Sequence, residues 1–229
     1  MEMLSSPQFW LGLGQIIWIN IILSGDNAVV IALAARGLDP KRQKQAIFWG
    51  TAAAVVLRVV LTVVAVKLMQ LPWLQLIGGL LLLWIGVQLL NGGDDDESDK
   101  GEAKGGLLAA IRTILVADLV MSLDNVIGVA AAANGNLTLL VIGLLIAIPI
   151  VVFGSTLMIK LMGRFPAIVT LGAALIGWVG AETIVSDKMI EPLVPHHSAG
   201  FYAAAALGAV LVVLTGKYLQ RRNAPASAD

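Results

Sequence analysis

The 229-residue chain contains no cysteine. Disulfides, thiolate metal sites and thiol redox chemistry are therefore excluded, and any metal must be held by oxygen, imidazole or thioether donors. Charge is also scarce, at 13% Asp, Glu, Lys and Arg against about 25% in ordinary soluble domains. Fifteen basic and fifteen acidic residues cancel, so no positive excess recommends nucleic acid as a partner. What takes the place of charge is apolar. The chain is 58% hydrophobic with a mean hydropathy of +0.88, which marks an integral membrane protein whose first partner is the lipid bilayer. The amino-terminal Met1-Glu2-Met3-Leu4 lacks the basic region of a secretory signal, although Ala32-Leu33-Ala34 resembles a cleavage site. The first apolar run, about 25 residues long with Asp26 inside it, is expected to be retained.

Apolar runs of about 20 residues, the length that crosses a hydrocarbon core of about 30 Å, fall at 9–35, 45–69, 72–91, 107–133, 137–161, 166–186 and 200–219. Pro72 and Pro166 separate two adjoining pairs of runs. The expected fold is an all-α polytopic membrane protein with seven transmembrane helices. Twelve basic residues, among them Arg36, Arg42, Lys104, Arg112, Arg164 and Arg222, collect on one side of the membrane, and only Lys67 and Lys188 on the other. Under the positive-inside rule the amino terminus is then outside and the carboxy terminus cytoplasmic.

Ser24-Gly25-Asp26-Asn27-Ala28-Val29-Val30 recurs 98 residues later as Ser122-Leu123-Asp124-Asn125-Val126-Ile127-Gly128. Further anchors recur in order at offsets of 93 to 94: Lys67-Leu68-Met69 as Lys160-Leu161-Met162, Pro72 as Pro166, and Trp84-Ile85-Gly86 as Trp178-Val179-Gly180. Helices one to three thus match helices four to six, and an odd number of helices per copy makes this a pair of inverted three-helix repeats with a seventh helix added. The expected domains are 1–93 for the first repeat, 94–105 for an acidic cytoplasmic loop, 106–190 for the second repeat, and 191–229 for an outer loop, the seventh helix and a cytoplasmic tail.

Carboxylates inside such helices cost about 2.5 to 3.5 kcal/mol each on insertion scales, so their placement implies a use. Asp26, Asp118 and Asp124 lie well inside the helices and Glu182 deep in the sixth. Subtracting 98 from Asp118 gives Asn20, so each copy reads polar-x5-Asp-Asn, acidic first in one and neutral first in the other. Six residues of regular helix leave Asp118 and Asp124 about 120° apart around the axis and about 9 Å apart along it, too divergent for one ion. Convergence needs an unwound turn or π-bulge at Ser24-Gly25-Asp26 and before Asp124, and such a break is expected at both segments. With Asn27 and Asn125 the acids make a hard, oxygen-rich donor set suited to Mn²⁺, Ca²⁺ or Mg²⁺. Met121 adds a thioether that favours Mn²⁺, or is packing filler. The same acids and amides also suit a structural reading, as hydrogen bonds between helices.

Arg58 has no basic counterpart in the fifth helix and reads as the counter-ion of a buried carboxylate, either fixed or opening when a cation arrives. Glu182 reads as a proton site or gate, or as a helix-end acid reaching water. The loop Asp94-Asp95-Asp96-Glu97-Ser98-Asp99 reads as a solvated linker, with cation gathering as the alternative. His196 and His197, with Glu191, read as an ordinary outer loop or as a second metal site.

Leu23-Ser24-Gly25-Asp26-Asn27-Ala28-Val29 and Met121-Ser122-Leu123-Asp124-Asn125-Val126 resemble the paired motifs of the TerC family, as do the acidic loop between them and Trp84-Ile85-Gly86. The likeness runs over most of residues 10 to 190. It is closest to the short bacterial branch made of the membrane domain alone, more distantly related to LysE-type exporters. The resemblance implies a protein of the bacterial inner membrane that exports Mn²⁺ from the cytoplasm, in a family also associated with tellurium resistance. It places the intramembrane acidic sites on Asp26, Asp118 and Asp124. Many members carry an acid where this chain has Asn20. No resident cofactor and no enzymatic activity are expected. The ion is cargo, protons are the candidate counter-ion, and oligomeric assembly is left open.

Two other functions fit parts of the pattern. Paired transmembrane aspartates and Ser24-Gly25-Asp26 resemble an intramembrane aspartyl protease, but Leu23 stands where Gly-x-Gly-Asp needs its first glycine. A non-transporting assembly or stress-resistance factor would use the acids for packing alone.

Overall fold

The computed structural model describes residues 7–68, 71, 73–91, 105–133, 136–196 and 198–223. The helices are α1 (Pro7–Ala35), α2 (Pro40–Leu68), α3 (Leu74–Asn91), α4 (Gly105–Ala133), α5 (Leu137–Arg164), α6 (Ala167–Val185) and α7 (Ala199–Asn223). Their ends fall within five residues of the apolar runs, because a backbone in hydrocarbon has no partner for its polar groups except its own helix.

Two expectations about architecture are corrected. Among the described residues, six helices are long and apolar enough to cross a membrane, not seven. In α1, a helix of 29 residues, the described apolar stretch is Ser24–Ala35. The two three-helix repeats are not the packing groups either. One compact unit comprises residues 1–71 and 106–160, hence α1, α2, α4 and most of α5, and the other holds α3, α6 and α7. The reason lies in the side chains: α2 and α4 share a buried ion pair, whereas α3, α6 and α7 meet through glycines.

In the three-helix unit, a methyl group added to Gly79 would collide with the Gly180 carbonyl and Ile184, and one on Gly177 would lie 2.6 Å from the Gly208 carbonyl. Small residues let these backbones approach, which is how membrane helices gain contact where lipid competes equally for apolar side chains. Leu82, Ile176 and Val212 fill the remaining space, each no more than 1% exposed.

Helix starts are fixed by side-chain acceptors for otherwise unpaired N–H groups. Asp39 accepts from Lys41 and Arg42 at 3.1 Å ahead of Pro40, Asn136 from Leu139 at 3.0 Å, and Ser198 from Phe201 at 3.1 Å. The start of α3 is different. Asp187, beyond the end of α6 and 1% exposed, accepts N–H groups of Trp73 at 3.4 Å and Leu76 at 3.2 Å, and that of Met189 at 3.0 Å. Trp73 adopts φ 67°, a left-handed conformation that costs a bulky residue about 1 to 3 kcal/mol and persists because its surroundings hold it.

In the four-helix unit, two apolar clusters lie one after the other along the helices. Leu13, Ile16, Val55, Val129 and Leu144 belong to one, and Ile31, Ala35, Ile47, Ile114 and Val151 to the other. The polar residues of α1 and α4 come between them in sequence.

A buried polar cluster as candidate functional site

The expected helix breaks are absent. Both α1 and α4 run as continuous α-helix through Ser24, Asp26, Ser122 and Asp124. Neither has an internal proline, and a lone Gly25 costs a helix only about 1 kcal/mol. In hydrocarbon, losing backbone hydrogen bonds costs more than that. Asp118 and Asp124 therefore keep the angular separation of a regular helix.

Asp118 meets α2 instead. Its Oδ1 accepts from Nη2 of Arg58 at 2.5 Å, Ser122 Oγ donates to its Oδ2 at 3.2 Å, and Arg58 Nε donates to Ser122 Oγ at 3.0 Å. The three side chains close a ring. Arg58 and Asp118 are 6% and 7% exposed and Ser122 not at all, so the pair is shielded from water. The sequence reading of Arg58 as the counter-ion of a buried carboxylate matches this pairing.

Beside the ring is a cavity of about 20 Å³, enough for one water-sized species. Asn27, Thr51, Arg58 and Asp118 are its polar lining, with apolar walls from Ile31, Ala54, Val55, Leu144, Ala147 and Val151. Thr51 Oγ1 is buried with no hydrogen-bond partner among the described residues. Asp26, half-buried, accepts the N–H of Asn27 on Oδ1 at 2.7 Å and lies within electrostatic reach of Arg58 and Asp118.

Asn27, Arg58 and Asp118 are thus brought together, with Asp26 nearby. Asp124 lies on α4 and Asn20 on α1, but their side chains are outside those described. Asn125 donates from Nδ2 to the Met121 carbonyl at 3.0 Å, one turn back on its own helix. Met121 is buried and is not among the described cavity-lining residues. Glu182 is half-buried on α6, in the other unit. His196 Nε2 is 3.6 Å from Glu191 Oε1, and its ring lies 5.3 Å from that of Phe201. His197 and nearly all of the acidic loop 94–105 lie outside the described residues. Among the described residues, no three His, Asp or Glu side chains converge as a metal-ligand group. Sequence reasoning missed Thr51 and Ser122 as members of the cluster. The i, i+4 spacing of Asp118 and Ser122 and the i, i+7 spacing of Thr51 and Arg58 each place a hydroxyl on the face of a charge, and were the available signals.

The model of the integral membrane protein TerC family matches residues 5–224. The chain belongs to the TerC family. It is 42% identical over 206 residues to the uncharacterized membrane protein YjbE of Bacillus subtilis (strain 168), covering 90% of this chain and 94% of that one. Also similar are YceF of the same organism, 24% identical over 220 residues with 93% and 84% covered, and the UPF0053 inner membrane protein YgdQ of Escherichia coli (strain K12), 25% identical over 205 residues with 80% and 84% covered. No solved structure matches. This TerC-family chain is a multi-pass membrane protein, an architecture consistent with transport.

Proposed function

We propose that the chain exports a divalent cation, Mn²⁺ before other metals, from the cytoplasm, using Asp26, Asn27, Asp118, Asp124 and Asn125 as its site and protons as the counter-ion. The observation that carries this reading is the cavity that Asn27, Thr51, Arg58 and Asp118 line within otherwise apolar helices. Charged groups are retained inside a membrane chiefly where they bind or move something charged. Carboxylate, amide and hydroxyl oxygens are hard donors that suit Mn²⁺ and leave the softer metals to thiolates. The similarity to YgdQ, described as an inner membrane protein, supports placement in the bacterial inner membrane. The distribution of basic residues supports an outer amino terminus and a cytoplasmic carboxy terminus.

An aspartyl protease reading is disfavoured by the ring around Asp118. Catalytic aspartates share a proton across a dyad, whereas here Arg58 and Ser122 engage both oxygens of one acid. The deciding experiment is Mn²⁺ flux into vesicles holding the purified full chain, with and without a pH gradient. Flux that follows the gradient is expected. Absence of flux overturns the transport reading, and flux indifferent to the gradient overturns proton exchange.

A further inference from the structure

Arg58 and Ser122 take both Asp118 oxygens, leaving that acid closed in this state. A guanidinium and a divalent ion on one carboxylate in a low-dielectric setting repel strongly, so one must leave as the other arrives. The cavity next to the ring offers somewhere for an ion to land. It has room for one water-sized species, and Thr51, 2% exposed and one of its lining residues, carries a hydroxyl with no partner among the described residues. Buried polar atoms almost always have a partner, so an unsatisfied one on a residue lining a cavity suits a polar or charged guest there. Thr51 and Arg58 are seven residues apart on α2, about 10.5 Å along its axis, so an ion can settle against the hydroxyl while the guanidinium retreats along the same helix.

We propose that Arg58 is a tethered competitor of the transported cation, closing Asp118 until an ion held by Thr51 displaces it. The inference rests on the transport reading and adds the regulation of that site. It has two consequences. Asp118 stays paired while the site is empty, so that acid is not exposed bare to hydrocarbon when cargo is absent. Apparent affinity is also set by how often Arg58 lets go, since only that fraction of molecules is ready to bind. An ion at ordinary cytoplasmic levels is thereby left alone and an excess is captured.

The test is a Mn²⁺ titration of the detergent-purified full chain, with free Mn²⁺ read by electron paramagnetic resonance. Arg58→Gln removes the competitor and is expected to bind Mn²⁺ about tenfold more tightly than the parent. Ser122→Ala keeps the charge pair, so it folds where Arg58→Gln fails to, and loosens Arg58 by removing its Nε acceptor. Its expected gain is about fivefold. Thr51→Val is expected to weaken binding about tenfold through loss of one oxygen donor. Folded Ser122→Ala with parental or weaker affinity overturns the competition, and so does parental affinity in Thr51→Val. A parent that neither binds nor carries Mn²⁺ removes the transport reading itself, a result separate from a parent that binds while its variants show no gain.

Discussion

Ser122 stands one helical turn after Asp118 on α4 and bonds both that acid and the arginine facing it across the unit. The hydroxyl makes the ion pair directional. A guanidinium held through Nη2 alone can pivot, whereas one held through Nε as well is fixed in plane. Charge balance and orientation at this site therefore have separate sources, Asp118 and Ser122.

Removing one member of the pair is expected to cost more than removing both. Asp118→Ala takes from buried Arg58 the carboxylate it is paired with and should lower stability by about 3 to 5 kcal/mol, whereas the double variant Arg58→Leu/Asp118→Leu should recover most of that loss. Thermal unfolding in detergent measures the difference. Equal losses in the two would assign the destabilisation to packing and not to charge.

Asp26→Asn and Asp124→Asn remove a negative charge with little change of shape. Each is expected to raise intracellular manganese in cells challenged with Mn²⁺ and to lower their tolerance, read by elemental analysis and growth. Unchanged metal content in well-expressed variants would exclude these acids from the ion's path.

Asp187 acts at a distance, joining the end of α6 to the start of α3. Asp187→Ala strands N–H groups of Trp73 and Leu76 and should destabilise the protein by about 1 to 3 kcal/mol. Asp187→Asn keeps one oxygen acceptor and should lose less. Limited proteolysis near residue 73, compared among the three proteins, reports whether the loss is local to that junction.

Two glycines separate helix continuity from helix packing. A methyl group at Gly25 meets nothing within 4 Å, so Gly25→Ala should stabilise α1 by up to about 1 kcal/mol, as expected of an unbroken helix. Gly177→Leu should instead disrupt the three-helix unit, because even a methyl group there meets the Gly208 backbone. Destabilisation by Gly25→Ala would show that α1 does unwind beside Asp26.

Helix limits were legible because they depend on local facts: a run of apolar residues, a proline after Gln70-Leu71, a cap such as Asp39 before Pro40. The role of Arg58 was half legible. A lone arginine in an apolar helix demands a counter-ion, but which of three aspartates answers it depends on helices 60 residues apart. Thr51 was invisible, since a threonine in such a run draws no notice until packing leaves its hydroxyl without a partner among the described residues and the residue itself beside a cavity. Asp187 was missed for a similar reason: its partners lie more than 110 residues earlier. The expected break beside Asp26 failed because glycine and a polar neighbour suggest an interruption, and in hydrocarbon the helical hydrogen bonds outweigh that suggestion. Grouping by repeat failed for a different reason. Sequence similarity between two segments says nothing of which helices they touch.

That grouping also sets an order of events during synthesis. Arg58 emerges 60 residues before Asp118, so at about 5 to 20 residues per second the ribosome delivers the acid about 3 to 12 s after the base. For that interval α2 carries a charge whose Asp118 partner is still to be made, against an insertion penalty of about 2.5 to 3.5 kcal/mol for a charged residue at a helix centre. The nascent hairpin of α1 and α2 is thus the step at which the membrane-insertion machinery must shelter the chain, and α4 is the segment whose arrival releases it.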